Sequence, residues 1–196
     1  MITVVKDAFK VNLEPCSENR EPFRVSHKLK VAVLGVGALG QHHARIYAEM
    51  AKAGEVEFVG LFDVDTNRAK EIASKYNVSV FPSESSARDA ADALNIVTPT
   101  ITHFDLASDM ILSGKHVLVE KPMADSAGEA SQLVQLAREE DRVLQVGHVE
   151  RFNPVFDYLQ NVAKQPRFIE AHRLSPYPAR SIDIGVVLDL MIHDLD

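Results

Sequence analysis

Val31-Ala32-Val33-Leu34-Gly35-Val36-Gly37-Ala38-Leu39-Gly40 sets a short apolar run directly before glycines spaced Gly-x-Gly-x-x-Gly. A run of this length bounded by glycine reads as a buried strand, and Leu39 to Lys52 behind it has helical length. Between a strand and a helix each glycine has its own role. Gly35 permits the tight turn, Gly37 lets a pyrophosphate approach the backbone, and Gly40 lets helix and strand pack closely. Val36, Ala38 and Leu39 complete the loop, and the helix N-terminus adds amide donors and a positive dipole. The next apolar run, Val56-Phe62, ends in Asp63, where a carboxylate can accept both hydroxyls of an adenosine ribose. That carboxylate would repel a 2'-phosphate, so the pattern favours NAD over NADP. Arg68 lies close enough to soften the preference, although its position reads first as an exposed helix cation.

Outward from this unit, apolar runs recur at Ala93-Val97, His116-Val119 and Val143-Val146, with a weaker one at Val78-Phe81. They alternate with helix-length stretches at Thr66-Tyr76, Thr102-Leu112 and Ser126-Glu140. The alternation predicts an α/β fold, a Rossmann-type doubly wound parallel sheet whose strands are covered by helices on both faces. Ser126 with Glu129 three residues on predicts an N-cap of capping-box type. Residues 1–28 read as an N-terminal arm and residues 29–150 as the NAD-binding domain. Residues 151–196 read as the beginning of an α+β substrate domain. After Gly147 the rhythm breaks: Asn153-Pro154 opens a short helix to about Ala163 and Arg167-Leu174 reads as a strand. Ser175-Pro176-Tyr177-Pro178 marks a loop, and a further helix begins near Val187. One strand and one helix cannot close a sheet, so about half of the second domain is expected to lie beyond this polypeptide.

Polar punctuation falls where the later runs end: Thr98-Pro99, Glu120-Lys121-Pro122 and Gly147-His148. In an open α/β sheet these positions gather at the carboxyl edge, where ligands bind. His103 follows Thr98-Pro99 and is placed to line the same pocket. Pro122 keeps Lys121 out of helical geometry, making it a candidate proton donor or acceptor beside a nicotinamide; an ordinary strand-end lysine is the competing reading. Asp189 and His193 are four residues apart, which on a helix puts carboxylate and imidazole on one face. Proton transfer, a surface contact and a metal pair all remain open for them, and the lack of a Cys or His pair elsewhere counts against metal. For His42 and His43 a structural role is favoured over a catalytic one. Glu150, Arg151 and Asn153 fall at the hinge between domains, where contacts with nicotinamide, substrate phosphate or merely the opposite domain are all open.

The formal net charge is -7 with scattered Lys and Arg, which removes the electrostatic footprint of nucleic-acid binding. No apolar stretch approaches the roughly 18 residues of a membrane span, and no secretory pattern opens the chain. A cytoplasmic protein with no membrane partner is expected. The single Cys16 has no intramolecular disulfide partner.

Several separated motifs occur in order over Lys30 to Asp196: the glycine loop followed by His43-Ala44, Asp63, Thr98-Pro99 with His103, Glu120-Lys121-Pro122, Arg151-Phe152-Asn153-Pro154, and Asp189 with His193. In these the sequence resembles the glucose-fructose oxidoreductase, inositol dehydrogenase and MocA family. The resemblance implies an NAD-dependent oxidoreductase in which Lys121, Asp189 and His193 form the catalytic group, with no metal. It implies cofactor contacts from Gly35 to Gly40 and from Asp63, Thr98, Pro99, His103, Glu120, Lys121, His148 and Arg151. It further implies a sugar or sugar-nucleotide substrate held by the second domain and a homo-oligomer when that domain is complete. Within the family, Gly147 to Pro154 is similar to the UDP-N-acetylglucosamine 3-dehydrogenases. The long arm before the first strand departs from the family pattern, as does the absent large sheet of the second domain. A non-catalytic dinucleotide sensor or scaffold and a cofactor-binding fragment without turnover are the competing readings.

Overall fold

The computed structural model describes residues 28–165 and, beyond them, residues 167, 168, 170, 172, 187, 191 and 192. The arm with Cys16, the loop at 175–178, and both Asp189 and His193 lie outside the described residues; of the strand expected over 167–174, Arg167, Phe168, Glu170 and His172 are described, and none of them is in a strand.

The chain alternates strand and helix: β1 (Leu29–Leu34), α1 (Gly40–Ala53), β2 (Val56–Phe62), α2 (Thr66–Tyr76), β3 (Ser79–Val80), α3 (Glu84–Ala90) and β4 (Ala93–Ile96). A 3-10 turn at Thr100–Thr102 leads into α4 (His103–Leu112), followed by β5 (His116–Val119), α5 (Ala127–Glu139) and β6 (Leu144–Val146). A second 3-10 turn, Val149–Phe152, precedes α6 (Pro154–Val162). Local chemistry sets the helix ends. Asp65 accepts the Asn67 and Arg68 amides to start α2, and Asn77 closes it with φ 54°. At α5, Ser126 and Glu129 form the expected capping box. Asn153 caps α6, with Pro154 at the position where a missing N–H costs nothing.

The six strands are parallel, as the sequence predicted, and lie in the order β3-β2-β1-β4-β5-β6. Period-two alternation divides the core. Ala32 and Leu34 of β1, Leu94 and Ile96 of β4, and Val117 and Val119 of β5 pack with Met110, Ile111 and Leu133 of α4 and α5. Val33 of β1 and Phe58 and Leu61 of β2 pack with Ala44, Ala48, Ala69 and Ile72 of α1 and α2. Leu34, Leu61, Leu94 and Ile96 are fully buried, and each contributes about 1.5–3 kcal/mol by leaving water.

Two features differ from expectation. Helix α3 was not foreseen, because it is short, polar and buries only Ala87. On the α1 side, His116 and Leu118 of β5 are partly exposed, and Val143, just before β6, and Gln145 within it are exposed rather than covered. Those side chains line a cavity of about 860 Å³. Among the described residues no helix is long and apolar enough to cross a membrane.

Candidate functional site

Strand order reverses between β1 and β4, the two neighbours whose connections run to opposite sides of the sheet. A crevice opens at the carboxyl ends of such a pair. Here it is a cleft of about 1050 Å³ whose walls include Gly35, Gly37, Ala38, Leu39, Asp63, Thr98, Pro99, His103, Glu120 and Lys121. Ten residues singled out in the sequence are thus brought together in one site.

The glycine loop divides its work as its spacing requires. Gly35 has φ +84°, and a Cβ there would stand 2.6 Å from the Val97 carbonyl oxygen of the neighbouring strand end. A Cβ on Gly40 would collide with the Gly35 carbonyl, so helix and loop touch only because Gly40 lacks a side chain. At Gly37 a Cβ would meet nothing, and the backbone there lies open to the cleft. Helix α1 begins without a side-chain cap and without an acidic residue in its first turn. That opening fits a pyrophosphate, because the uncapped helix start leaves donor amides and positive dipole turned toward the Gly37 gap. Val36 and Gly40 do not line the cleft: Gly40 is buried at the start of α1, and Val36 has its side chain in the core while its amide is bound by Asp63.

Asp63 binds the loop directly. Its Oδ2 accepts the Val36 N–H at 2.7 Å and its Oδ1 accepts the Asp65 N–H at 2.9 Å. Arg68, expected as an exposed helix cation, is half-buried and donates from Nε to the Val36 carbonyl at 3.1 Å while pairing with Glu71. The two peptide groups flanking the Val36 Cα are therefore both held, one by a carboxylate and the other by a guanidinium. The reason sequence missed it is that the anchor is a backbone group.

Across the switch point, His103 is 1% exposed and faces two carbonyls, with Nδ1 2.8 Å from Pro122 O and Nε2 2.9 Å from Thr98 O. It ties the end of β4 to the turn after β5. Thr98 and Thr102 hydroxyls meet at 2.7 Å beside it. The Lys121–Pro122 peptide is cis, and the half-buried Lys121 side chain lines the cleft.

Glu120 is 6% exposed, an unusual position for a carboxylate. It is satisfied by His43, whose Nε2 lies 3.1 Å from Oε1, and by the Lys121 N–H, which donates to Oε2 at 3.2 Å. Asn95 from β4 completes the group, with Nδ2 2.6 Å from His43 Nδ1. His42, by contrast, is exposed, as a helix surface residue is. His148 lines the smaller cavity rather than the main cleft, and Arg151 in the second 3-10 turn is exposed and lines neither. In the smaller cavity, burial and then the Arg142 charge push the His116 imidazole below its usual 6.5. Among the described residues no group of three or more His, Cys, Asp or Glu is placed to hold a metal.

Residues 29–148 match a family model described as an oxidoreductase family with an NAD-binding Rossmann fold. The chain is 41% identical over 169 residues to a UDP-N-acetylglucosamine 3-dehydrogenase of Acidithiobacillus ferrooxidans, covering 86% of this chain and 52% of that protein. A solved structure of that dehydrogenase superposes with a TM-score of 0.77 over 85% of this chain and 54% of the other. A scyllo-inositol 2-dehydrogenase (NAD(+)) of Bacillus subtilis is 30% identical over 190 residues, covering 88% of this chain and 53% of its own. The chain spans about half the length of these relatives. From the glycine loop, the acidic end of β2, the strand order and these matches together, the chain belongs to the Gfo/Idh/MocA oxidoreductase family and carries its NAD-binding Rossmann fold.

Proposed function

We propose that this chain supplies the cofactor-binding half of an NAD-dependent dehydrogenase that oxidises a ring hydroxyl of a sugar or sugar nucleotide. The finer reading is C3 of UDP-N-acetylglucosamine, supported by the 41% identity to a dehydrogenase of that name. The observation that carries the proposal is the meeting, in one cleft, of the open Gly37 backbone, the Asp63 carboxylate and the Glu120-Lys121 strand end. Asp63 after β2 and Lys121 after β5 flank the glycine loop, so a dinucleotide laid across the loop puts adenosine at one end and nicotinamide at the other. Nicotinamide, when bound, supplies the hydride acceptor at its C4.

This chain's residues bind, orient and move the proton. The glycine-loop amides and the start of α1 hold the pyrophosphate. Asp63 accepts the ribose hydroxyls and disfavours a 2'-phosphate, which selects NAD over NADP. Lys121 stabilises the alkoxide that develops as the substrate hydroxyl loses its proton. His193 takes that proton and Asp189 orients the imidazole, roles that rest on the family resemblance. Residues 151–196 begin the domain that holds the substrate over the cleft.

The test is turnover by the full-length protein. Incubated with NAD and a panel of UDP-sugars, free sugars and inositols, it forms reduced nicotinamide with the UDP-sugar group and most rapidly with UDP-N-acetylglucosamine. Tight NAD binding with no turnover across the panel would support a non-catalytic sensor instead.

A further inference from the structure

A buried carboxylate must be paired or hydrogen-bonded, and Glu120 reaches this state through a residue far away in sequence. His43 lies on α1, the helix that the glycine loop opens, and its side chain is 15% exposed against 8% for Glu120. Asn95 Nδ2–H points at His43 Nδ1 from 2.6 Å, and that donor makes Nδ1 the acceptor and leaves the ring proton on Nε2. Nε2–H then donates to Glu120 Oε1 at 3.1 Å. Asn95 is itself 1% exposed on β4, so the ring is held from the sheet as well as from the helix.

The carboxylate is clamped on its other sides. Oε2 accepts the Lys121 amide at 3.2 Å, and the Gly147 Cα lies so close that any Cβ there would run into the carboxylate. Gly147 has no positive φ, so space alone accounts for glycine at that position. Glu120 lines the cleft, immediately before Lys121 in the chain.

We propose that His43 is a positioning residue for the nicotinamide end of the cleft: it holds the Glu120 carboxylate back against Gly147 and so fixes the backbone that presents Lys121. The proposal rests on the dinucleotide reading above. Its physical content is a selective coupling. Without the imidazole, the carboxylate keeps one long hydrogen bond at low exposure, and it turns outward to regain water in the space that the nicotinamide half occupies. Asp63 follows β2, on the far side of β1 from β4 and β5, and bonds the loop at Val36 rather than Glu120, so the adenosine end does not depend on the imidazole.

The experiment compares two ligands on the 196-residue chain. NADH, followed by its fluorescence, reaches the whole cleft; ADP, followed by calorimetry, reaches only the adenosine and pyrophosphate half. His43→Leu weakens NADH about tenfold, the effect of one buried hydrogen bond to a charge, and leaves ADP within about a factor of two. His43→Gln keeps an N–H for Glu120 and a carbonyl for Asn95, and restores most of the NADH affinity. Gly147→Ala pushes the same carboxylate out from the opposite side and gives the same NADH-selective loss, which preserves the test if His43→Leu does not fold. Equal weakening of both ligands, or NADH affinity unchanged in His43→Leu while the wild type binds NADH, overturns the positioning role alone. A folded wild type that binds neither ligand overturns the dinucleotide reading and this proposal with it.

Discussion

Replacing Gly37 and Gly40 by alanine one at a time separates the loop's two functions. At Gly37 a Cβ meets no atom of the protein within 4 Å, and no positive φ is imposed, so Gly37→Ala leaves stability within about 0.5 kcal/mol. The methyl group occupies the approach that the pyrophosphate uses. Loss of one charge-assisted amide contact, about 1.5–3 kcal/mol, weakens NADH by roughly 10- to 100-fold. At Gly40 the Cβ enters the Gly35 carbonyl, which is backbone and cannot rotate away. Separating α1 from the loop costs about 1–3 kcal/mol, against a helix-propensity gain of about 1 kcal/mol for alanine over glycine. Gly40→Ala therefore loses both stability and affinity, whereas Gly37→Ala loses affinity alone. Urea denaturation with an NADH titration of each variant measures the contrast. Should Gly37→Ala bind NADH as wild type does, the cradle has been put in the wrong place.

Three further outcomes follow from the same structure. Asp63→Asn removes the charge facing a 2'-phosphate and raises NADPH affinity relative to NADH on the order of tenfold or more, read from paired titrations; an unmoved ratio would show that another group selects the cofactor. His116 has its pKa lowered by burial and Arg142, and its Nδ1 accepts the Val143 N–H at 3.0 Å. The unfolded chain thus takes up the proton first, so this contribution to stability is full above about pH 6.5 and is lost as pH falls below it. A His116→Gln variant flattens that part of the thermal-midpoint profile, and a parallel profile would assign the pH dependence elsewhere. Ser126→Ala removes the side-chain half of the α5 capping box and costs about 1 kcal/mol in denaturant unfolding; no loss would mean the helix start is held by packing alone.

Much of this fold was legible because buried parallel strands read as uninterrupted apolar runs. β1, β2, β4 and β5 begin or end within a residue or two of Val31-Leu34, Val56-Phe62, Ala93-Val97 and His116-Val119. Helix α3 escaped because Glu84–Ala90 shows no apolar stripe; its one signal was Ser83, which caps it by accepting the Ser86 amide. The site was half legible. Glycine spacing and strand-end polar residues reported the cleft, since both follow from local backbone geometry. The anchoring of Val36 by Arg68 and the group formed by Asn95, His43 and Glu120 are tertiary, with Arg68 bonded to a residue 32 positions away and Asn95 to one 52 positions away. One clue to the second was present: a polar Asn95 inside the apolar run Ala93-Ile96 must find a buried partner. His148 and Arg151 come just after β6, where neighbourhood in sequence did not translate into a place in the main cleft.

Everything chemical here depends on a dinucleotide crossing the loop between Leu34 and α1. Titrating the folded wild-type chain with NADH, and displacing it with ADP, tests that most directly. The expected result is one saturable NADH site, competed by ADP and filled less readily by NADPH. Folded protein that takes up no dinucleotide at millimolar concentration would contradict it.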